Sequence, residues 1–238
     1  MPRGNHESLS SAFKPPRKKM EERRIEVHDG ISVSASLCGA GAAAVVLGHG
    51  AGGTRKTSFL VRLAEALAAG GRRVVLFNFP YSEARRRIPD PAPLLEATID
   101  AVAQFTRSEL GAKSIVFGGK SMGGRIASQA VAKGLAADGL VFLGYPLHPP
   151  GKPERLRAEH LERVRAPMLF LQGTLDPFAR PELIRDVVKG LGGRATLEAI
   201  DGGDHSFNVR GRRTDPREVG AGLSEPAAAF VRRVAGGR

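Results

Sequence analysis

The stretch SIVFGGKSMGGR, residues 114–125, decides the fold class, because it contains two catalytic motifs at once. Read as Gly119-Lys120-Ser121, it matches the end of a phosphate-binding P-loop. Read as Gly119-x-Ser121-x-Gly123, it matches a nucleophile elbow, a strained turn that presents a serine between a strand and a helix. The two interpretations predict different chemistry, and the rest of the chain has to distinguish them.

The P-loop interpretation fails at the glycines. A complete motif reads G-x-x-x-x-G-K-[ST], and with Lys120 as its lysine the first glycine falls on Ser114, inside an apolar strand. A second near match, GAGGTRKT at residues 50–57, has Arg55 where the second glycine would let the backbone wrap a phosphate. No apolar strand ends in an aspartate suited to holding magnesium. These departures argue against a nucleotide hydrolase.

The elbow interpretation agrees with its surroundings. The apolar run IVFGG precedes Ser121, and GGRIASQAVAKG, which follows it, has the spacing of a helix. Glycines at 119 and 123 keep side chains away from the turn. On the motif alone, a small-residue turn with a solvated serine remains an equal alternative, so the decision depends on whether the other catalytic groups are present.

The wider pattern predicts a single α/β domain. RRIEVHDGISVSASLC alternates around Asp29-Gly30 and predicts a hairpin. Apolar runs that end in glycine then alternate with helical segments, which indicates a mainly parallel, twisted sheet of about eight strands with helices on both faces. A short polar helix is expected at KPERLRAEHLERV, and a final helix interrupted near Pro226. We assign residues 21–238 to this domain and residues 1–20 to a flexible basic tail.

Composition narrows the range of partners. The net charge of +12, from 36 Lys and Arg against 24 Asp and Glu, favours anionic partners in general. The chain has no aromatic-interleaved basic motif and no zinc-finger spacing, which argues against nucleic acid. No metal-spaced His or Cys cluster is visible, and no metal or organic cofactor is expected. The oligomeric state is not predicted.

Cellular location is inferred from the cysteine count and from hydropathy. Cys38 is the only cysteine, so no intramolecular disulfide forms, which fits a reducing compartment. The polar N-terminal residues lack the apolar core of a signal peptide, so none is expected, and no run approaches 18 apolar residues. We expect a cytoplasmic protein without a membrane partner.

An acid and a histidine follow Ser121 in the order of a catalytic triad. Asp176 lies in QGTLDPF, just past a predicted strand, and His205 lies in GGDHSF, just past the next one. The order serine, acid, histidine is that of the elbow-containing hydrolases. Asp201 and Asp204 are rival acids near His205, but their position in its own loop makes Asp176 the better candidate.

An oxyanion hole is expected in the loop LGHGAGG. This loop follows the strand after the hairpin, so one backbone N–H would come from Ala51 or Gly52. The other would come from Met122, the residue after the nucleophile. His49 is interpreted as a brace for the loop rather than as a catalytic group.

Residues 146–163 occupy the place where many hydrolases insert a cap. The segment is too short for a full cap domain, and we interpret it as a proline-stiffened lip that carries Leu147 and His148 over the pocket. A structural role for His148 is equally compatible with the sequence. Tyr81, after FNFP, is expected to line the same cleft.

These motifs together resemble a known family. GHGAGG, FNFPY, GGKSMGGR, GYPLHPPGKPERLR and GTLDPF are similar to those of small, cap-less α/β-hydrolases of the dienelactone-hydrolase-like kind. More narrowly, they resemble the group that contains the NSL histone-acetyltransferase complex subunit three and its testis-expressed relative. The resemblance spans roughly residues 25–235, implies the α/β-hydrolase fold, and places Ser121, Asp176 and His205 in the triad.

The predicted function is therefore a serine hydrolase, esterase-like, that acts on a small-molecule ester or related acyl substrate. The alternative is a catalytically silent α/β-hydrolase-fold scaffold, because some members of the resembled group look like interaction proteins and a fold does not imply an activity.

Overall fold

The computed structural model of the protein describes residues 20–209 and 215–235. The predicted flexible tail lies outside the described residues except for Met20, so that assignment stays a prediction. In the described part, eight strands, seven α-helices and two 3₁₀ turns follow one another along the chain. The strands are β1 Glu21–His28, β2 Ile31–Cys38, β3 Ala43–Gly48, β4 Arg73–Phe77, β5 Ser114–Lys120, β6 Gly139–Leu143, β7 Met168–Gly173 and β8 Ala195–Ile200; the helices are α1 Ser58–Ala69, α2 Pro80–Glu83, α3 Ala92–Ser108, α4 Met122–Ala132, α5 Pro181–Gly190, α6 Pro216–Gly222 and α7 Ser224–Ala235; the 3₁₀ turns are Glu159–Arg163 and Gly192–Arg194.

The predicted hairpin forms at the edge of the sheet. β1 and β2 pair antiparallel, and Asp29 and Gly30 both have positive φ, 47° and 76°, in the turn between them. Positive φ at both central residues is what a two-residue hairpin needs to match the twist of its strands, and it explains the Asp-Gly pair.

The remaining strands form the parallel part of the sheet. The order across the sheet is β1-β2-β4-β3-β5-β6-β7-β8, and all neighbours from β4 to β8 run parallel. β5, which leads into Ser121, has β3 on one side and β6 on the other. The predicted eight-stranded, mainly parallel α/β-hydrolase sheet is confirmed, and ligand sites in such sheets lie at the carboxyl ends of the strands.

Helices cover both faces of the sheet, as predicted. Buried side chains of α3, α4 and α5, such as Ile99, Ile126 and Ile184, belong to one apolar cluster. Those of α1 and α7, such as Leu63 and Phe230, belong to a second cluster on the opposite face. The central strands are buried on both sides, which is why their sequences are continuous apolar runs rather than alternating ones.

The segment between β6 and β7 differs from the prediction. The expected polar helix is limited to the 3₁₀ turn Glu159–Arg163, and residues 149–158 form turns and irregular chain. The backbone of Arg157 is held on both sides, because its N–H donates to the Leu147 carbonyl at 2.8 Å and its carbonyl accepts from the Tyr145 hydroxyl at 2.7 Å. These long-range bonds replace the local ones that a helix would need. No cap domain interrupts residues 144–167.

The C-terminal helix is divided earlier than expected. α6 ends at Gly222 and α7 begins at Ser224, so Pro226 lies within the first turn of α7, where the missing N–H of proline has no cost. None of the helices in the described ranges is long and apolar enough to cross a membrane.

Candidate active site

Ser121 occupies the turn between β5 and α4. Its φ is 50° and its ψ is −114°, a conformation that costs a residue with a side chain about 1–3 kcal/mol. The Ser121 N–H donates to the Leu143 carbonyl at 3.1 Å, which ties the turn to the neighbouring strand β6. Such stored strain is usual at functional sites and is not needed by a solvated surface turn.

The two glycines around Ser121 are required because the elbow presses against the end of β3. A Cβ atom at Gly119 would lie 2.2 Å from the Gly48 carbonyl oxygen, and one at Gly123 would lie 2.4 Å from the same carbonyl group. Gly119 also has a φ of 147°, which side-chain-bearing residues rarely adopt. The G-x-S-x-G spacing is thus a packing requirement of this turn.

Asp176 and His205 meet beside the elbow. Asp176 follows β7 with its carboxylate fully buried, and its Oδ2 lies 2.7 Å from Nδ1 of His205, which follows β8. The carboxylate also accepts hydrogen bonds from Gln172 Nε2 at 2.6 Å and from the Phe178 N–H at 2.8 Å. A buried carboxylate held by three donors is a fixed partner for an imidazole, and it directs the other ring nitrogen, Nε2, away from itself.

The rival acids have other partners. Asp204 accepts from the backbone N–H groups of Ser206 and Asn208 at 2.7 and 2.9 Å. Partial burial opposes ionisation of Asp204, but the hydrogen bonds from Asn208 and Ser206 outweigh it and lower the pKa of this carboxyl group. Asp201 accepts from the Thr174 hydroxyl at 3.3 Å. Both acids therefore organise the loop around His205, and Asp176 is the acid bonded to the ring.

The candidate oxyanion loop lies next to Ser121. Ala51 lines the same cavity as Ser121, and its N–H has no hydrogen-bond partner in the described part of the chain. The Gly52 N–H instead donates to the Tyr81 hydroxyl at 3.2 Å. Met122 is the first residue of α4, where backbone N–H groups lack intrahelical acceptors. Of the two predicted donors in the loop, the geometry favours Ala51 over Gly52.

His49 and Tyr81 hold this loop from below. His49 is fully buried, with Nδ1 2.8 Å from the Gly50 carbonyl oxygen and Nε2 3.2 Å from the Phe79 backbone nitrogen. Burial lowers the pKa of His49, so the ring is neutral, with Nδ1 assigned as the donor. Tyr81 was expected to line the cleft, but its ring is buried, and its hydroxyl also donates to the Gly50 carbonyl at 3.4 Å. Both residues support the loop.

A cavity of about 740 Å³ opens in front of Ser121 and His205. This volume is within the usual range for small-molecule sites. One end lies against α1 and α6, and the other lies between α3, α4 and the 146–163 segment. The lining residues are Gly50, Ala51, Gly53, Thr57, Phe59, Leu60, Pro89, Asp90, Ala92, Leu95, Lys120, Ser121, Met122, Arg125, Ile126, Pro146, Arg157, Phe178, His205, Ser206, Asn208 and Pro216.

The two residues predicted to reach over the pocket from the lip do not line it. Leu147 is fully buried in the apolar cluster that also contains Ile99 and Ile126. His148 is 2% exposed, and its two ring nitrogens contact the Pro149 carbonyl at 2.9 Å and the Arg180 N–H at 3.0 Å. An apolar side chain gains more from the core than from a wet cleft, and a buried imidazole needs partners for both nitrogens. The lip contributes Pro146 and Arg157 to the cavity instead.

Cationic side chains in the cavity wall were missed by sequence reasoning. Lys120 precedes the nucleophile, and its Nζ is buried without a hydrogen-bond partner in the described part of the chain, 5.6 Å from the centre of the Phe207 ring. Burial, opposed by the charges of Asp176 and Asp204, lowers the pKa of Lys120 to about 8. Arg125 could have been recognised from its spacing, because a residue four positions after Ser121 on a helix lies on the same face.

The described residues contain no group of three His, Cys, Asp or Glu side chains placed to hold a metal ion. In the second P-loop candidate, residues 50–57, Arg55 is held by contacts with other parts of the protein. The Arg55 N–H donates to the Asn78 side chain at 2.7 Å, and the Arg55 guanidinium pairs with Glu22.

Comparison with known proteins supports the same architecture. Residues 41–231 match a family model described as an alpha/beta hydrolase domain. Among solved structures, a serine hydrolase without a lid from Xanthomonas campestris superposes with a TM-score of 0.70 at 18% identity, covering 90% of this chain and 94% of that one. A dienelactone hydrolase from Anabaena variabilis gives 0.69 at 19% identity, covering 91% and 99%. An esterase domain from a Rhodothermus marinus protein gives 0.70 at 14% identity, covering 91% and 99%. The narrower resemblance to the NSL subunit group stays a prediction.

Proposed function

The chain belongs to the α/β-hydrolase family, and from this premise we propose that it is a serine hydrolase that cleaves a small ester or related acyl substrate. The observation that carries the proposal is the buried Asp176–His205 hydrogen bond beside the strained Ser121 turn, at a cavity of small-molecule size. The hydrolase, esterase and dienelactone hydrolase among its structural neighbours agree with this class of reaction.

In the proposed acylation step, Ser121 Oγ attacks the carbonyl carbon of the substrate while His205 Nε2 takes the serine proton. Asp176 keeps Nδ1 protonated and stabilises the imidazolium that forms. The tetrahedral intermediate collapses when the bond to the leaving group breaks, and His205 returns the proton to the leaving oxygen. The products of this step are the free alcohol and an acyl-enzyme on Ser121.

Negative charge on the carbonyl oxygen would be held by the N–H groups of Ala51 and Met122. Both belong to backbone that is fixed before substrate arrives, one by the Tyr81 and His49 contacts and the other by α4. A preorganised donor of this kind stabilises the transition state by about 2.7–4 kcal/mol. In deacylation, His205 takes a proton from water, the resulting hydroxide attacks the acyl carbonyl, and Ser121 leaves with the proton.

The proposal is tested by labelling and kinetics together. A fluorophosphonate probe should modify the wild-type protein at Ser121, and p-nitrophenyl esters of increasing chain length should be hydrolysed. Ser121→Ala should abolish both while leaving the melting temperature within a few degrees, because the hydroxyl makes no hydrogen bond within the described residues. Labelling at another serine, or full activity in Ser121→Ala, would contradict the assignment.

The same experiment separates the enzyme from a silent scaffold. A scaffold interpretation predicts neither labelling nor turnover in a folded protein whose melting temperature is normal. A cytoplasmic location and membership of the NSL subunit group are further parts of this proposal. The location is supported by the single cysteine of the sequence, Cys38, which cannot form an intramolecular disulfide and so fits a reducing compartment.

A further inference from the structure

Arg125 is placed in the cavity one helical turn beyond the nucleophile. Its N–H donates to the Ser121 carbonyl at 3.2 Å, so the two residues stand on the same face at the start of α4. The Arg125 side chain is partly buried and lines the end of the cavity between α3 and α4. A substrate bound at Ser121 that extends toward this end of the cavity would approach the Arg125 guanidinium.

The Arg125 guanidinium lacks a partner in the described part of the protein. Among residues 20–209 and 215–235, no carboxylate lies within salt-bridge distance of it, and its Nε is buried without an acceptor. Tyr145 and, more weakly, Glu96 favour the cationic form of Arg125, but the Glu96 carboxylate pairs with Lys133. Burial outweighs this attraction and lowers the pKa of Arg125. A partly buried cation with an unused donor is unfavourable by itself and becomes favourable when an anion binds.

Arg157 brings a second guanidinium to the same end of the cavity. Its side chain is exposed at the mouth, and its backbone is anchored by the hydrogen bonds to Leu147 and Tyr145. The charge of Arg157 acts on Arg125 and disfavours its cationic form. Two like charges held near each other by a rigid backbone are repulsive in the empty cavity, and an anion between them converts the repulsion into two attractions.

The acid in the cavity wall does not neutralise this end. The Asp90 carboxylate already accepts from the Tyr81 N–H at 2.7 Å and from Arg86 at 2.5 Å. Lys120 adds a third cationic group near Ser121. Apolar side chains, those of Leu95, Met122 and Ile126, line the same cavity. The cavity thus offers a short apolar path from the nucleophile to a positively charged end.

We propose that Arg125 and Arg157 form a subsite for an anionic group, a carboxylate or a phosphate, carried by the substrate a few carbon atoms away from the acyl bond that Ser121 cleaves. This inference rests on the proposed hydrolase function, and it specifies the substrate class: an ester or related acyl compound whose short apolar chain ends in an anion. Arg125 is the specificity-determining residue, because it is the more buried of the pair and projects from the helix that carries the elbow.

Binding is measured first, because it does not require turnover. Calorimetry on the wild-type protein compares adipate, its neutral isostere adipamide, and 4-phosphonobutyrate. We expect one of the two anions to bind about 10- to 100-fold more tightly than adipamide. This ratio corresponds to the free energy of a hydrogen bond to a charged group. Tighter binding of adipate identifies a carboxylate site, and tighter binding of 4-phosphonobutyrate a phosphate site. Equal affinities for all three compounds would overturn the proposal.

Variants then locate the effect. Arg125→Gln and Arg157→Gln should each remove most of the preference for the anion, and Arg125→Lys, which keeps the charge but not the fork of donors, should keep part of it. Arg155→Gln is the matched control, since Arg155 lies in the same lip, is exposed and is not in the cavity wall. A preference that survives Arg125→Gln unchanged, with a normal melting temperature, would contradict the assignment.

Kinetics separates failure of the subsite from failure of the hydrolase. The hydrolysis of monomethyl adipate is compared with that of dimethyl adipate in a pH-stat, with 4-phosphonobutyrate methyl ester as the phosphate counterpart. A kcat/KM at least about 10-fold higher for the anionic ester, lost in Arg125→Gln, supports the subsite. Hydrolysis of all esters at equal rates would refute the subsite and leave the hydrolase. Tight adipate binding without any turnover would refute the hydrolase and leave the subsite.

Discussion

The Asp176 carboxylate accepts hydrogen bonds from three donors, those of His205, Gln172 and Phe178. Its proposed role in catalysis rests on that arrangement: a buried anion at Nδ1 fixes the His205 ring and leaves Nε2 free for the Ser121 hydroxyl. The acids of the His205 loop, by contrast, satisfy backbone N–H groups or a hydroxyl. Replacing one carboxylate oxygen of Asp176 by an amide nitrogen should therefore affect the reaction far more than the fold.

Asp176→Asn should lower kcat by up to about 10⁴-fold on the best ester found, because the amide favours the wrong tautomer of His205. Asp204→Asn, which keeps an acceptor oxygen for Ser206 and Asn208, should retain most activity, and so should Asp201→Asn. The three variants are compared by steady-state kinetics and by melting temperature. A collapse in Asp204→Asn or Asp201→Asn with an active Asp176→Asn would reassign the acid.

At the scale of elements, close backbone contacts decide at which glycines a larger residue can be accommodated. α6 contains two of them, Gly220, which is buried, and Gly222, which is exposed at the last residue of the helix. A Cβ at Gly220 would lie 2.4 Å from the Phe59 carbonyl oxygen of α1, whereas a Cβ at Gly222 meets nothing within 4 Å. Phe59 and Leu60 of α1 and Pro216 of α6 also line the cavity, so the integrity of the α1–α6 contact bears on the site as well as on the fold.

Gly220→Ala should lower the free energy of unfolding by about 1–3 kcal/mol, since the added methyl group forces the two helices apart. Gly222→Ala should raise it by up to about 1 kcal/mol, because alanine loses less backbone entropy in a helix. Urea unfolding of both variants against the wild type measures the difference. Equal and small effects would mean that α1 and α6 do not pack as closely as the structure describes.

At the scale of the whole molecule, the buried charge of Lys120 makes folding depend on pH. The folded-state pKa of about 8 lies below the ordinary value of 10.5, so between these values the unfolded chain binds more protons. Stability arising from this group therefore rises as pH increases from 8 to 10.5, and the penalty is fully present below pH 8. The penalty is on the order of 3 kcal/mol at 1.36 kcal/mol for each pH unit.

Lys120→Met should consequently raise the melting temperature at pH 7, and the gain should shrink as the pH approaches 10. Lys113→Met, at an exposed lysine just before β5, is the control and should change the melting temperature little at either pH. The measurement is a series of thermal melts across this pH range. A gain that does not depend on pH would show that packing, and not charge, accounts for the effect.

The sequence by itself determined the sheet and the order of the candidate catalytic groups. Apolar runs that end in glycine predicted the buried strands, Asp29-Gly30 predicted the hairpin, and the G-x-S-x-G spacing predicted a strained turn at Ser121. These features are local: each depends on residues a few positions apart, whose periodicity and conformational freedom can be read directly. The candidates Asp176 and His205 were found in the same way, because strand ends in a parallel sheet share one edge.

Tertiary structure decided everything that depends on which way an irregular segment faces. Leu147 and His148 turned into the core, Tyr81 became a support for the oxyanion loop, and the expected helix after Lys152 gave way to turns pinned by long-range bonds. The meeting of Arg125 with Arg157 likewise depends on two distant segments. The physical reason is that irregular loops have no repeating pattern, so the burial of their side chains and the partners of their backbone groups are set by contacts that are far away in sequence.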